Sequence, residues 1–184
     1  AMTEKVKMKQ TKVVMAFKSL IEKREAASVM TRLFGGTPFS KLFTNVREKM
    51  SLCYYCAASF VYSKGTLFVE SGVETENTEK LVAEVQNQLD SIKNGDFSDE
   101  ELDNTRRYLI NLVNGVEDSP STLISWYFAG RCFGDDISPE EHICRLEKLT
   151  REDIIEAACS FSLDTVYVME ADGEGEDAEE DDDE

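Results

Sequence analysis

Between Cys53 and Val73 the side chains alternate in character twice, on either side of a tight turn, and this stretch narrows the fold more than any other. In the first run Tyr54, Cys56, Ala58, Phe60 and Tyr62 share one face, while Tyr55, Ala57, Ser59 and Val61 share the other. Leu67, Val69, Ser71 and Val73 alternate along the return run. Ser63-Lys64-Gly65 between them is a hairpin turn, with Gly65 free to take positive φ. Two such runs predict neighbouring antiparallel strands.

The flanking sequence fills in the rest. Val13 to Phe17 is a short apolar run between lysines, predicted as a strand apolar on both faces. Residues 19–34 are good helix formers, and Gly35 is a natural left-handed stop. Pro38 and Ser40 restart the chain, and Leu42, Phe43 and Val46 give a short helix an apolar face. Leu81, Val82, Val85, Leu89 and Ile92 keep helical spacing up to Asn94-Gly95. Ser98 with Glu101 reads as a capping box for a helix whose buried stripe is Leu102, Leu109, Leu112, Val113 and Val116. Ser119-Pro120 opens a helix apolar nearly all round at Leu123, Ile124, Trp126, Tyr127 and Phe128, predicted to be well buried. Ser138 with Glu141 repeats the capping box, and Thr150 with Asp153 caps a last helix more weakly. Thr165 to Met169 is a final strand. The predicted class is α+β in two layers, a mostly antiparallel sheet covered on one face by helices.

A chain of 184 residues is a single domain that buries roughly 70% of its unfolded surface, so it needs no metal or disulfide staple. Residues 1–10 read as a lead-in whose Ala1-Met2 start resembles a tag remnant, 11–170 as one body, and 171–184 as an acidic disordered tail. The chain enters almost directly into a strand, which suggests a piece of a longer protein. Of the net charge of −17, eleven acids fall within residues 170–184 with no Lys or Arg, leaving −6 on the remainder. That balance argues against nucleic acid or an anionic membrane as partner. Five cysteines without framework spacing fit a reduced, cytoplasmic setting. No run of about 18 apolar residues is present to span a membrane.

Few residues offer chemistry. Cys53 and Cys56 form a C-x-x-C, but on a strand they point to opposite faces and cannot ligate one ion, so they are expected as core cysteines. His142 is the only histidine, too few for a catalytic zinc site, and is expected as a structural surface residue. No strand-elbow-helix motif surrounds a serine that it could serve as base. The acidic tail either aids solubility or binds a basic protein. Arg47 and Tyr54 allow two readings. In one, Arg47 pairs with an acid such as Glu48 or Glu70 and Tyr54 fills the sheet. In the other, both grip backbone carbonyls of an extended peptide beside a sheet edge.

A longer pattern bears on that choice. Leu33-Phe34-Gly35-Gly36, then Ser40-Lys41-Leu42-Phe43, Val46-Arg47-Glu48-Lys49, Leu52 and Tyr54, resembles the second half-domain of the pitrilysin/insulin-degrading-enzyme family of zinc peptidases. Gly65-Thr66-Leu67 into Val73-Glu74, the segment from Gly95 to Arg106, and Asp118-Ser119 extend the likeness over residues 11–170. In that family a first half-domain carries zinc on H-x-x-E-H and a second half of like fold completes an enclosed chamber. The resemblance implies that Tyr54 donates its hydroxyl to the substrate carbonyl or oxyanion and that Arg47 holds the peptide backbone. It also implies zinc on an absent N-terminal half, a peptide substrate, and that half-domain or a homologous subunit as partner. With no H-x-x-E-H, this chain alone is expected to bind no catalytic zinc and cleave nothing. It is then either the substrate-binding half of a zinc endopeptidase or the equivalent half of an inactive homologue acting as an interaction subunit. A half normally covered by its sibling exposes apolar surface, so self-association in isolation is expected.

Overall fold

Five strands make one sheet in the order β1-β5-β2-β4-β3, where β1 is Met2–Val6, β2 Thr11–Lys18, β3 Cys53–Val61, β4 Thr66–Val73 and β5 Ser162–Ala171. The computed structural model describes residues 1–172. Three pairings are antiparallel, and β1 alone runs parallel to its neighbour β5. Among the described residues six α-helices accompany the sheet: α1 Arg24–Gly35, α2 Thr78–Lys93, α3 Asp99–Asn114, α4 Pro120–Phe133, α5 Pro139–Lys148 and α6 Arg151–Ser160. A wider helix, Leu42–Lys49, closes with a bond from the Met50 N–H to the Asn45 carbonyl, five residues back.

One face of the sheet carries the core. Val13, Met15 and Phe17 from β2, Cys56 and Ala58 from β3, and Leu67, Val69 and Val73 from β4 are buried. They belong to one cluster with Ala26, Met30 and Phe34 of α1, Leu81, Val85 and Ile92 of α2, and Ile154 and Ala158 of α6. Each large side chain buried in this way contributes about 1.5–3 kcal/mol. The opposite face stays open at Lys12, Lys18, Ala57, Ser59 and Glu70. The α+β class, with helices on one face of a mostly antiparallel sheet, is the observed architecture.

The hairpin forms as read, with Gly65 at φ 55° and its carbonyl taking the Ser19 N–H at 2.8 Å. Other features differ. Residues 1–10 include a paired strand: Met2 to Val6 lie against Tyr167 to Ala171. β2 is not equally buried on both sides; it alternates, with Val14 and Ala16 half-open. Gly35 is not a left-handed stop, since neither it nor Gly36 has positive φ. Space explains it instead: a Cβ there would lie 2.6 Å from Leu42 Cδ1 and 2.8 Å from the Ala58 Cβ.

In α3, Leu112 faces solvent, and Thr105 takes its place in the buried stripe. Thr150 and Asp153 form the full reciprocal capping box, whereas Ser138 accepts only the Glu141 N–H. The helix predicted to be well buried, α4, has no buried residue at all. The acidic tail lies outside the described residues, apart from Ala171, which ends β5, and Asp172, whose N–H donates to the Val6 carbonyl.

Candidate functional site

Arg47 is placed by its neighbours. Ser40 opens the segment, its hydroxyl donating to the Thr37 carbonyl at 2.7 Å and its carbonyl accepting the Thr44 N–H at 2.9 Å. Leu42 and Val46 then pin the wide helix into the core with no exposed surface. With Val46 inward, Arg47 is directed outward. Its guanidinium lies 4.8 Å from the centroid of the Phe43 ring, and Nε stands 3.7 Å from a Glu48 carboxylate oxygen. Of the two acids named from sequence, the structure pairs Arg47 with Glu48.

The chain reverses at Ser51, which takes φ 51°, a left-handed conformation uncommon for a residue with a side chain. Leu52 tucks back into the core, its N–H donating to the Val46 carbonyl at 3.1 Å. At the start of β3 the register then slips. Cys53 stands opposite Val73, but Tyr55 stands opposite Gly72, so Tyr54 is an extra residue, a bulge. The expected alternation placed Tyr54 on the face of Cys56, which the structure buries. The bulge turns it out, and it is 57% exposed. Its hydroxyl donates to the Glu74 carboxylate. That bond, with the Glu74 charge, raises the phenol above its ordinary value.

Arg47 and Tyr54 thereby line one cleft of about 460 Å³, together with Glu48, Ser51, Leu52, Cys53, Glu74 and Asn77. The cleft lies at the margin of the sheet, because β3 pairs with β4 on one side only. Two hydrogen-bond donors with no core role face the same space beside an edge strand. Both are tethered by exposed carboxylates, Arg47 in a surface ion pair and Tyr54 in a hydrogen bond, contacts that a competing ligand can displace.

The same bulge changes the cysteines. The three steps of β3 from Cys53 to Cys56 here match two steps of β4, from Val73 to Ser71, so the two cysteines fall on one face. Sequence reasoning missed this because a bulge leaves no mark in the local alternation. His142, expected at the surface, is half-buried. Its ring packs edge-on against Trp126 at 5.2 Å, and Nδ1 lies 3.8 Å from Glu25. Burial holds its pKa below the ordinary value, against the opposing pull of Glu25 and Asp135. Among the described residues no three His, Cys, Asp or Glu side chains stand close enough to hold a metal ion, so these residues do not fit a zinc centre. No described helix is long and apolar enough to cross a membrane.

Comparison with known proteins gives consistent matches. The family described as the peptidase M16 inactive domain matches residues 2–109. A probable inactive metalloprotease of Bacillus subtilis, YmfF, is 38% identical over 144 residues, covering 78% of this chain and 34% of the relative. An uncharacterised zinc protease of Streptomyces coelicolor is 25% identical over 154 residues, covering 80% of this chain and 34% of its own length. A crystal structure of a conserved protein from Enterococcus faecalis superposes with a TM-score of 0.89 at 27% identity, covering 95% of this chain and 42% of that one. The chain thus spans about a third of the length of the curated relatives it matches.

Proposed function

This chain belongs to the peptidase M16 inactive-domain family, and from that premise we propose that it is the substrate-binding, non-zinc-ligating half of a zinc-dependent endopeptidase. The metal belongs to another half in this reading. Its support is that related proteins are named zinc proteases while the described residues of this chain offer no ligand set.

The observation that carries the proposal is the bulge at Tyr54, which turns a phenol out of the sheet and into the cleft beside Arg47. A peptide lying along the β3 edge would meet both groups. The Arg47 guanidinium is a fixed cation with several donors, suited to holding backbone carbonyls. The Tyr54 hydroxyl is a neutral donor. When a peptide carbonyl takes the place of Glu74 as its acceptor, the phenol hydrogen bond strengthens as negative charge grows on that oxygen. A preorganised donor of this kind is worth about 3 kcal/mol. Main-chain pairing with the open side of β3 would supply affinity without dependence on substrate sequence.

The test is Tyr54→Phe in the full-length protein. Turnover of a peptide substrate is expected to fall about 10²–10³-fold, with the circular dichroism spectrum unchanged. Unaltered turnover would remove Tyr54 from the chemistry. A second reading, the equivalent half of an inactive homologue serving as an interaction subunit, is favoured by one fact: the relative at 38% identity is described as probably inactive. It requires that the wild-type full-length protein, supplied with zinc, hydrolyse no peptide at all.

A further inference from the structure

Cys53 and Cys56 were expected to be inert and apart, and the register of β3 on β4 places them otherwise. Cys53 stands opposite Val73 and Cys56 opposite Ser71, two residues apart on β4. Val73 and Ser71 are both buried on the core side, so the two thiols share that side. Both are free thiols, neither in a disulfide. The pair is asymmetric. Cys56 is 6% exposed. Cys53 is half-buried and forms part of the wall of the cleft, where a small solute reaches it.

The surroundings favour a thiolate at one position only. The hydrogen bond from Cys56 pulls the Cys53 thiol down to about 7; burial opposes this, while the Ser71 hydroxyl and the nearby Arg47 charge reinforce it. Cys56 is pushed up by donating to Cys53 and by burial. The accessible thiol is therefore the nucleophile, and the sheltered one keeps its proton until a partner forms on its neighbour.

We propose that Cys53 and Cys56 form a thiol–disulfide exchange site, with Cys53 attacking a small disulfide of the glutathione class and Cys56 resolving the adduct. In the first step the Cys53 thiolate attacks one sulfur of the oxidised ligand. A mixed disulfide forms, the ligand's S–S bond breaks, and one ligand thiolate leaves. In the second step Cys56 gives its proton to that leaving thiolate or to water and attacks Cys53 Sγ. The Cys53–Cys56 bond forms and the second ligand thiol departs. Two protein thiols are oxidised and one ligand disulfide is reduced to two thiols. The bulge is what permits closure, because a bridge needs sulfurs on one face at short range. Tyr54 and Tyr55 lie inside the resulting ring, so closure fixes the turn that directs Tyr54 into the cleft. The site stands on the β3–β4 register and does not rest on the peptidase reading.

The experiment exposes the whole chain to oxidised glutathione, alkylates the remaining thiols, digests with trypsin and weighs the peptides. Residues 50–64 lie between two lysine cleavage points and hold both cysteines. This peptide is expected to lose two hydrogens and to carry neither an alkyl group nor glutathione. In Cys56→Ser the same peptide should retain one glutathione on Cys53, the stalled first step. In Cys53→Ser, Cys56 should stay unmodified by the disulfide. Cys132, Cys144 and Cys159 are exposed and report that the ligand is reactive. If they acquire glutathione while wild-type 50–64 takes two alkyl groups, or keeps a stable glutathione adduct, the proposal is overturned. The wild-type result decides the matter even if a serine variant fails to fold.

Discussion

In the proposed role Tyr54 acts as a donor, so its protonation state matters as much as its position. Glu74 fixes both. The carboxylate accepts the phenol O–H, and its charge further disfavours a phenolate, so the hydroxyl stays neutral beyond its ordinary range. Replacing Glu74 by Gln keeps an acceptor and removes the charge. The Tyr54 titration should then move down towards the ordinary value near 10. Tyrosinate absorbance across alkaline pH, with Tyr54→Phe as the subtraction, reads this directly. Tyr167, raised in the same way by Glu4, is an internal reference and should not move. A Tyr54 transition indifferent to Glu74→Gln would mean that the bond is not formed in solution. Arg47 is held more loosely: its pairing with Glu48 at 3.7 Å is an exposed contact, and it remains available to a ligand.

Among the elements, the Gly35-Gly36 junction decides whether the wide helix sits close enough to β3 to present Arg47. An added methyl at Gly35 would meet Leu42 Cδ1 at 2.6 Å and the Ala58 Cβ at 2.8 Å. Overpacking of this kind costs about 1–3 kcal/mol, against a helix-propensity gain of about 0.5–1 kcal/mol. Gly35→Ala should therefore lower the melting temperature by a few degrees, at about 2–4 °C per kcal/mol for a chain of this size. Gly115 is the contrast. A methyl there meets nothing nearer than 3.6 Å, at φ −73°, so Gly115→Ala should be neutral or slightly stabilising in the same melt. Equal effects at the two sites would refute the packing argument. These elements also mark what sequence can reveal. The Gly65 turn and the Ser98–Glu101 box were legible because their partners lie within three residues. Arg47 and Tyr54 were singled out by residue type and resemblance. How they reach one cleft depends on the register slip between Cys53 and Tyr55. That slip is set by β4, and no periodicity within β3 encodes it. The β1 strand was missed for the same reason, since the strand it pairs with, β5, is more than 150 residues away in the chain.

At the scale of the whole molecule, α4 is the element that this chain does not complete. Ile124 and Phe128, four residues apart and so on one helix face, are 70% and 69% exposed. α4 is held chiefly from its other side, where the Trp126 N–H donates to the Ile137 carbonyl at 2.9 Å and the indole meets His142. Its all-round apolar sequence read as a buried helix, and nothing in residues 1–172 buries it. The sequence pattern reports that a cover is needed, not where the cover comes from. The relatives it matches are more than twice as long and hold chain that could supply one. In isolation the face should pair with a second copy. Sedimentation equilibrium should then show the average mass rising with concentration. The net charge of −17 opposes that pairing, and salt screens charge beyond about 8–10 Å at 0.1–0.15 M, so association should strengthen as salt is added. Replacing Ile124 and Phe128 together by Asp should give a monomer at every concentration. Stability should be unchanged or nearly so, because the two side chains are mostly exposed in the single chain. A wild-type chain that stays monomeric in high salt would show that water tolerates this face, and the reading of α4 as an interface awaiting its partner would fail.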